Sequence, residues 1–244
     1  MRICVVQLKP VRGDIARNIV RHKQFIDVAT ANGADIVIFP ELSITGYEPT
    51  LARELATVKD DCRFDDFQNL ADSRRITIGI GVPTRDAAGN YISMVLFRPH
   101  SSRETYSKKY IHADEEAFFS SGESSIDVIG NDADISLAIC YELSVPEHSA
   151  NAFKRGSRIY IASVAKTADG VEKAIRTLSG IAGTYSMTVL MSNCVGHCDN
   201  FEAAGRTSIW NNKGVLLGQL DETGEGVLIL DTETQELVKK PVHL

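Results

Sequence analysis

Short apolar runs alternate with longer stretches of helical spacing along the chain. Residues 3–8 (Ile-Cys-Val-Val-Gln-Leu) are rich in β-branched side chains and predict a first strand. Behind them, Ile15, Ile19, Ile26 and Ala29 recur at helical spacing. Asp14 suits the N-cap of that helix and Gly33 its stop. Residues 35–39 form a short buried strand that Pro40 ends. Residues 51–58 and 64–74 read as helices. Residues 76–82 and 91–97 read as strands joined by a turn at Asp86 and Gly89.

The second half repeats the style. Residues 133–139 predict a strand ending at Cys140, 146–154 a helix, 158–163 a strand and 171–184 a helix. Four further strands fall at 189–193, 207–210, 215–219 and 226–230. The tail, 231–244, is polar and lightly structured, with Leu237, Val238 and Val242 suited to docking elsewhere, a subunit interface included. No linker, charge block, low-complexity tract or fixed repeat divides the chain. The expectation is a single α/β domain over residues 1–244, with helices covering the sheets and chemistry where strands end.

Composition narrows the function. The 244 residues carry 26 Lys and Arg against 32 Asp and Glu, a formal charge of −6. That balance gives no electrostatic footprint for nucleic acid or an anionic membrane. The five cysteines, Cys4, Cys62, Cys140, Cys194 and Cys198, are an odd, sparse set and no disulfide framework. The N-terminal apolar run is too short for a signal peptide, and no apolar stretch reaches membrane-spanning length. A cytoplasmic, reducing location is expected, with thiols free for chemistry.

Three strand-end segments hold reactive side chains, in the order carboxylate, ammonium, thiol. Phe39-Pro40-Glu41-Leu42, followed by Thr45-Gly46-Tyr47, delivers a carboxylate among apolar neighbours, where its pKa can rise toward general-base use. Taken alone, Glu41 reads as an ordinary surface residue. Tyr106-Ser107-Lys108-Lys109 supplies positive charge, for an oxyanion or for a solvated surface. Leu137-Ala138-Ile139-Cys140-Tyr141-Glu142-Leu143 ends a buried strand in a cysteine and turns toward a helix near Pro146. That is how a nucleophile is presented, although a small buried thiol is the ordinary alternative.

Together these segments resemble the nitrilase superfamily of carbon–nitrogen hydrolases. Ser192-Asn193-Cys194-Val195-Gly196 and Gly205-Arg206-Thr207-Ser208 are similar to its later strand segments, so the resemblance covers nearly the whole chain. It implies a four-layer α-β-β-α sandwich and Glu41, Lys108 and Cys140 as catalytic residues. Tyr106 sets the register that selects Lys108; counting from His112 would select Lys109 instead. Glu115, seven residues before Gly122, fits the family's second glutamate, with Glu116 as its competitor. The resemblance gives Glu115 and Tyr141 supporting roles and places Tyr47, Glu142 and Ala165 at the substrate. It further implies a small-molecule amide or carbamoyl-amine substrate, no metal or organic cofactor, and a homodimer or higher homo-oligomer.

The sequence departs from the family pattern after Cys140. Ser144 stands where many members have an arginine, which removes one partner for a substrate carboxylate. Lys166, after the 158–163 strand, reads as a solvated lysine, with binding of an acidic substrate group as the alternative. Other readings are nitrile hydrolysis on the same site and a catalytically idle binding protein on the same fold. None of the six histidines lies in a segment resembling the histidine motif of papain-type proteases. Cys194, His197 and Cys198 crowd three potential zinc ligands into five residues without a second pair.

Overall fold

Alternate side chains of β1 (Arg2–Gln7) are buried on opposite faces. Ile3 and Val5 pack in one apolar cluster, Cys4 and Val6 in another. A strand buried on both faces needs a layer on each. The computed structural model describes residues 1–123, 128–129 and 134–243, which supply those layers.

In the first sheet β1 is joined by β2 (Ile36–Ile38), β3 (Thr77–Arg85), β4 (Asn90–Phe97) and β5 (Glu104–Ser107). The second sheet is built from β6 (Val128–Ile129), β7 (Ile135–Ile139), β8 (Ile159–Val164) and β9 (Thr188–Asn193). A hairpin of β10 (Val195–Cys198) and β11 (Phe201–Ala204) stands apart from both. The chain then adds β12 (Ser208–Trp210) and β13 (Leu216–Gln219) to the second sheet, and β14 (Gly226–Asp231) and β15 (Leu237–Pro241) to the first. The strand orders are β15–β14–β1–β2–β3–β4–β5 and β13–β12–β9–β8–β7–β6. Each sheet contains three parallel strands, β1–β2–β3 and β7–β8–β9.

Helices close both outer faces. α1 (Ile15–Ala31) is capped by the Asp14 carboxylate, which accepts from the Arg17 N–H at 2.9 Å, as the sequence predicts. A short α2 (Ala52–Leu55) precedes α3 (Asp65–Arg74). Phe25 and Ile26 of α1 and Phe67 and Ala71 of α3 bury against the outer side of the first sheet. α4 (Pro146–Lys154) and α5 (Ala168–Tyr185) cover the second sheet through Ala152, Val171, Ala174 and Leu178. Ile3, Val5, Ile36 and Ile38 meet Leu137, Ile139, Ile161 and Leu190 between the sheets. The layers are therefore α-β-β-α.

Polar bolts cross the interface between the sheets. The Ser163 hydroxyl of β8 donates to the Phe39 carbonyl at 2.8 Å, and the Ser192 hydroxyl of β9 donates to the Val6 carbonyl at 2.6 Å. They align the ends of the parallel strands of one sheet with those of the other.

Three expectations are corrected. Residues 51–58 hold only the four-residue α2 after a 3₁₀ turn at Pro49–Leu51, and Thr57 leaves the helix to bridge Thr84. The tail is not loose: β15 pairs antiparallel with β14, and Val242 is buried beside α1 and the first sheet. The structure adds the short strands β5, β10 and β11, four-residue runs that carry little periodicity in the sequence. Ala133 and Leu244, placed by sequence in a strand and in the tail, lie outside the described residues. Among the described residues no helix is long and apolar enough to cross a membrane.

Candidate active site

Glu41 leaves β2 in a tight turn. Leu42 has a φ of 51°, and the turn lies so close to β3 that a Cβ on Gly81 would sit 2.3 Å from the Pro40 carbonyl oxygen. The Ile44 N–H donates to the Gly81 carbonyl at 3.0 Å. Buried His22 braces the turn from α1: its Nε2 lies 2.9 Å from the Ser43 hydroxyl and its ring stacks on Phe39. Burial drops the His22 pKa to about 3, so the ring is neutral. No motif in the sequence pointed to His22, Ser43 or Gly81.

Lys108 follows β5, and its backbone N–H donates to the Ile92 carbonyl of β4 at 2.8 Å. Its ammonium is fully buried and bonds Glu41 Oε1 and both Glu115 oxygens, each at 2.8 Å. Lys108, not Lys109, enters this cluster, and Glu115 is buried whereas Glu116 is exposed. The Glu115 carboxylate also accepts from the Tyr47 hydroxyl at 2.8 Å and the His112 N–H at 2.9 Å. The second oxygen of Glu41, Oε2, is buried and takes no conventional hydrogen bond among the described residues.

Cys140 follows β7 with a φ of 45°, in the left-handed region that non-glycine residues rarely adopt. The chain then enters a 3₁₀ turn, Cys140–Ser144, and runs on into α4. The thiol is half-buried, with Sγ 3.9 Å from the Ala165 carbonyl. It is also close enough to Glu41 to stabilise that carboxylate by hydrogen bonding.

The charges shape one another. Burial pushes the Glu41 carboxyl above its usual range, against the pull of Lys108. Burial also opposes the Lys108 charge, but Glu41, Cys140 and Glu115 outweigh it and hold the ammonium above the usual lysine value. Burial and the Glu41 charge push the Cys140 thiol up to about 11, with Lys166 and Lys108 pulling the other way. At neutral pH the cluster thus holds a thiol rather than a preformed thiolate.

The thiol opens into a cavity of about 350 Å³, with Tyr47, Tyr141, Leu143, Ala165 and Phe201 on its walls. Tyr47 packs against Phe201, with ring centres 5.6 Å apart. His112 stands at the rim, bonded through Nδ1 to Asp114 and set edge-on to Tyr141. A larger depression, about 680 Å³, involves Asp35, Arg75, Asp134 and Arg158, far from this chemistry. Its size gives no reason to prefer it, since the thiol, carboxylates and cavity of the first site converge without it.

Glu142 does not reach the cavity, contrary to the expected place at the substrate. Its fully buried carboxylate accepts from the Tyr106 hydroxyl at 2.6 Å, the Ile139 N–H at 2.7 Å and the Lys109 N–H at 2.6 Å. It ties the cysteine turn to the lysine segment from behind. The possible zinc ligands do not converge either. Cys194 and Cys198 are buried with their sulfurs 3.6 Å apart, while His197 points outward to Glu202. Among the described residues no group of three or more such side chains forms a metal site.

A buried carboxylate–ammonium–carboxylate cluster behind a strained cysteine, between two helix-covered sheets, defines a class. The chain belongs to the carbon-nitrogen hydrolase family, whose model matches residues 2–239. It is a hydrolase of carbon–nitrogen bonds other than peptide bonds. Over 244 residues it is 24% identical to a protein of Staphylococcus aureus named hydrolase in agr operon, covering 97% of this chain and 93% of that protein. Over 164 residues it is 27% identical to an (R)-stereoselective amidase of Pseudomonas sp., covering 66% of this chain and 59% of the amidase. Its fold is similar to that of an amidase from Nesterenkonia sp. AN1, with a TM-score of 0.85 and 22% identity over 99% of this chain and 90% of the other. A mutant of that amidase shows covalent addition of the acetamide moiety of fluoroacetamide at the active site cysteine.

Proposed function

We propose that the protein hydrolyses a small-molecule amide or carbamoyl amine through a thioester on Cys140. Glu41 takes the thiol proton as Sγ attacks the carbonyl carbon. The resulting oxyanion is held by the Lys108 ammonium and by the backbone N–H of Tyr141. That N–H lies in the first turn of the 3₁₀ segment, where no intrahelical acceptor exists. Each such donor contributes roughly 3–4 kcal/mol to transition-state stabilisation. Glu41 then passes its proton to the leaving nitrogen, and ammonia or an amine departs. Water, deprotonated by Glu41, attacks the thioester carbonyl; the C–S bond breaks, the acid leaves, and the Cys140 sulfur takes the proton back from Glu41. Glu115 and Tyr47 keep Lys108 charged and in place. No step requires a metal or an organic cofactor.

The observation that carries this reading is a buried Glu41 carboxyl of raised pKa within hydrogen-bonding reach of a thiol that lines a cavity. The test is ammonia release over ω-amides, N-carbamoyl amines, aliphatic amides and nitriles, with wild type beside Cys140→Ala and Lys108→Met. At least one amide or carbamoyl amine is expected to turn over, and both substitutions are expected to lower turnover more than about a thousandfold. Circular dichroism checks that each variant folds. Full activity in Cys140→Ala would overturn the nucleophile, and turnover of nitriles alone would replace amide by nitrile hydrolysis.

A further inference from the structure

The cavity over Cys140 carries two ammonium groups that the reaction leaves unused. Lys166 follows β8 and Lys173 lies on α5; both line the cavity with Cys140 and Ala165. The Lys166 backbone is clamped. Its N–H donates to Asn193 Oδ1 at 3.0 Å, and its carbonyl accepts from the Ala204 N–H at 3.0 Å. Its stem lies against the start of α5, where a Cβ on Gly170 would sit 3.4 Å from Lys166 Cβ and 3.7 Å from Cγ. The residue is half-buried, and its charge reaches the thiol. Among the described residues neither Lys166 nor Lys173 has a salt bridge or side-chain hydrogen bond. The acidic residues of the cavity are engaged elsewhere, Asp114 with His112 and Glu115 with Lys108. The N-terminal end of α5, capped by the Thr167 side chain, adds positive potential beside Lys166.

We infer that the substrate is an amide bearing a carboxylate, and that Lys166, seconded by Lys173 at the rim, binds that carboxylate and determines specificity. The inference rests on the amide-hydrolase reading. An ammonium that has no protein partner, on a fixed backbone beside the nucleophile, offers a carboxylate a charge-assisted hydrogen bond. A neutral amide of the same length gains nothing from it.

The experiment compares kcat/KM for succinamate and glutaramate with kcat/KM for butyramide and pentanamide, their neutral counterparts. Wild type is expected to favour the anion at one chain length or both, with the preference shrinking as salt is raised. In Lys166→Met the anion-to-neutral ratio is expected to fall at least about tenfold, mainly through KM, with Lys166→Arg restoring much of it. Lys173→Met is expected to lower the ratio less. Using the ratio removes any general effect of Lys166 on the thiol. Wild type that favours the neutral amides, or a ratio unchanged in Lys166→Met, overturns this inference and leaves the amidase reading intact. Turnover of neither kind of amide, nor of any amide or carbamoyl amine in the wider panel, overturns both.

Discussion

Glu41 is a buried carboxyl that shares one ammonium with Glu115, so the cluster sets two carboxyl groups against one ammonium. Burial lifts the Glu41 carboxyl above its ordinary value of 4.5. A carboxyl raised in the folded state binds its proton more tightly there than in the unfolded chain. Its contribution to stability is therefore fully present below the unfolded value and is lost as pH rises through the raised folded value. Above that raised value the ionised carboxyl is a stability cost. Glu41→Gln, which leaves Lys108 a single carboxylate partner, is expected to abolish turnover while the melting temperature at pH 7 stays at or above wild type. A lower melting temperature would show that the Glu41–Lys108 pair is a net stabiliser. In the active wild type, the acid limb of kcat/KM is expected to lie above the pH at which an ordinary glutamate titrates. These charges were half legible in the sequence. The motifs name Glu41 and Lys108, but nothing local says that Glu115 is buried and Glu116 exposed.

At the scale of elements, each functional group sits just beyond a strand end, and what fixes it there is a neighbouring element. The Glu41 turn lies on Gly81 of β3, and the cysteine turn hangs on Glu142 through the Ile139 N–H. Gly81→Ala would drive a methyl group into the Pro40 carbonyl and the Leu42 N–H, both backbone atoms that cannot swing aside. It is expected to cost about 1–3 kcal/mol of stability, as overpacking does. Displacing Glu41 from Cys140 is expected to lower turnover by more than about tenfold. Urea unfolding and ammonia release measure the two effects, and near-wild-type values in both would deny the close approach its role. In the sequence Gly81 is one residue of a β-type run and carries no mark of this contact. Glu142 is hidden for a similar reason: it stands two residues from Cys140, but the 3₁₀ turn carries its side chain behind the wall and not into the cavity.

Across the whole molecule, the two sheets are held in one register by the apolar layer between them and by the serine bolts at their strand ends. The tail closes the first sheet. β15 covers the edge of β14 and presents Lys239, Lys240 and Pro241 at the new edge, residues that discourage further strand pairing. Truncation after Asp231 would strip that cover and remove Val242 from its buried place. It is expected to lower the urea midpoint and to promote association, read by light scattering. A soluble truncated chain with an unchanged midpoint would show that β15 is dispensable to the fold.

The sequence by itself determined the alternation of sheets and helices, the main helices and strands, and the segments that carry the carboxylate, lysine and cysteine of the proposed site. These are written in local periods of two and 3.6 residues and in motifs a few residues long, which neighbours in the chain are enough to specify. Only the tertiary structure decided that the Ser163 hydroxyl meets a carbonyl 124 positions away, that Glu142 braces the site from behind, that the tail becomes an edge strand, and that Lys166 stands without a protein partner in the cavity. Each depends on which distant segment buries or satisfies a polar group, and spacing along the chain holds no record of that.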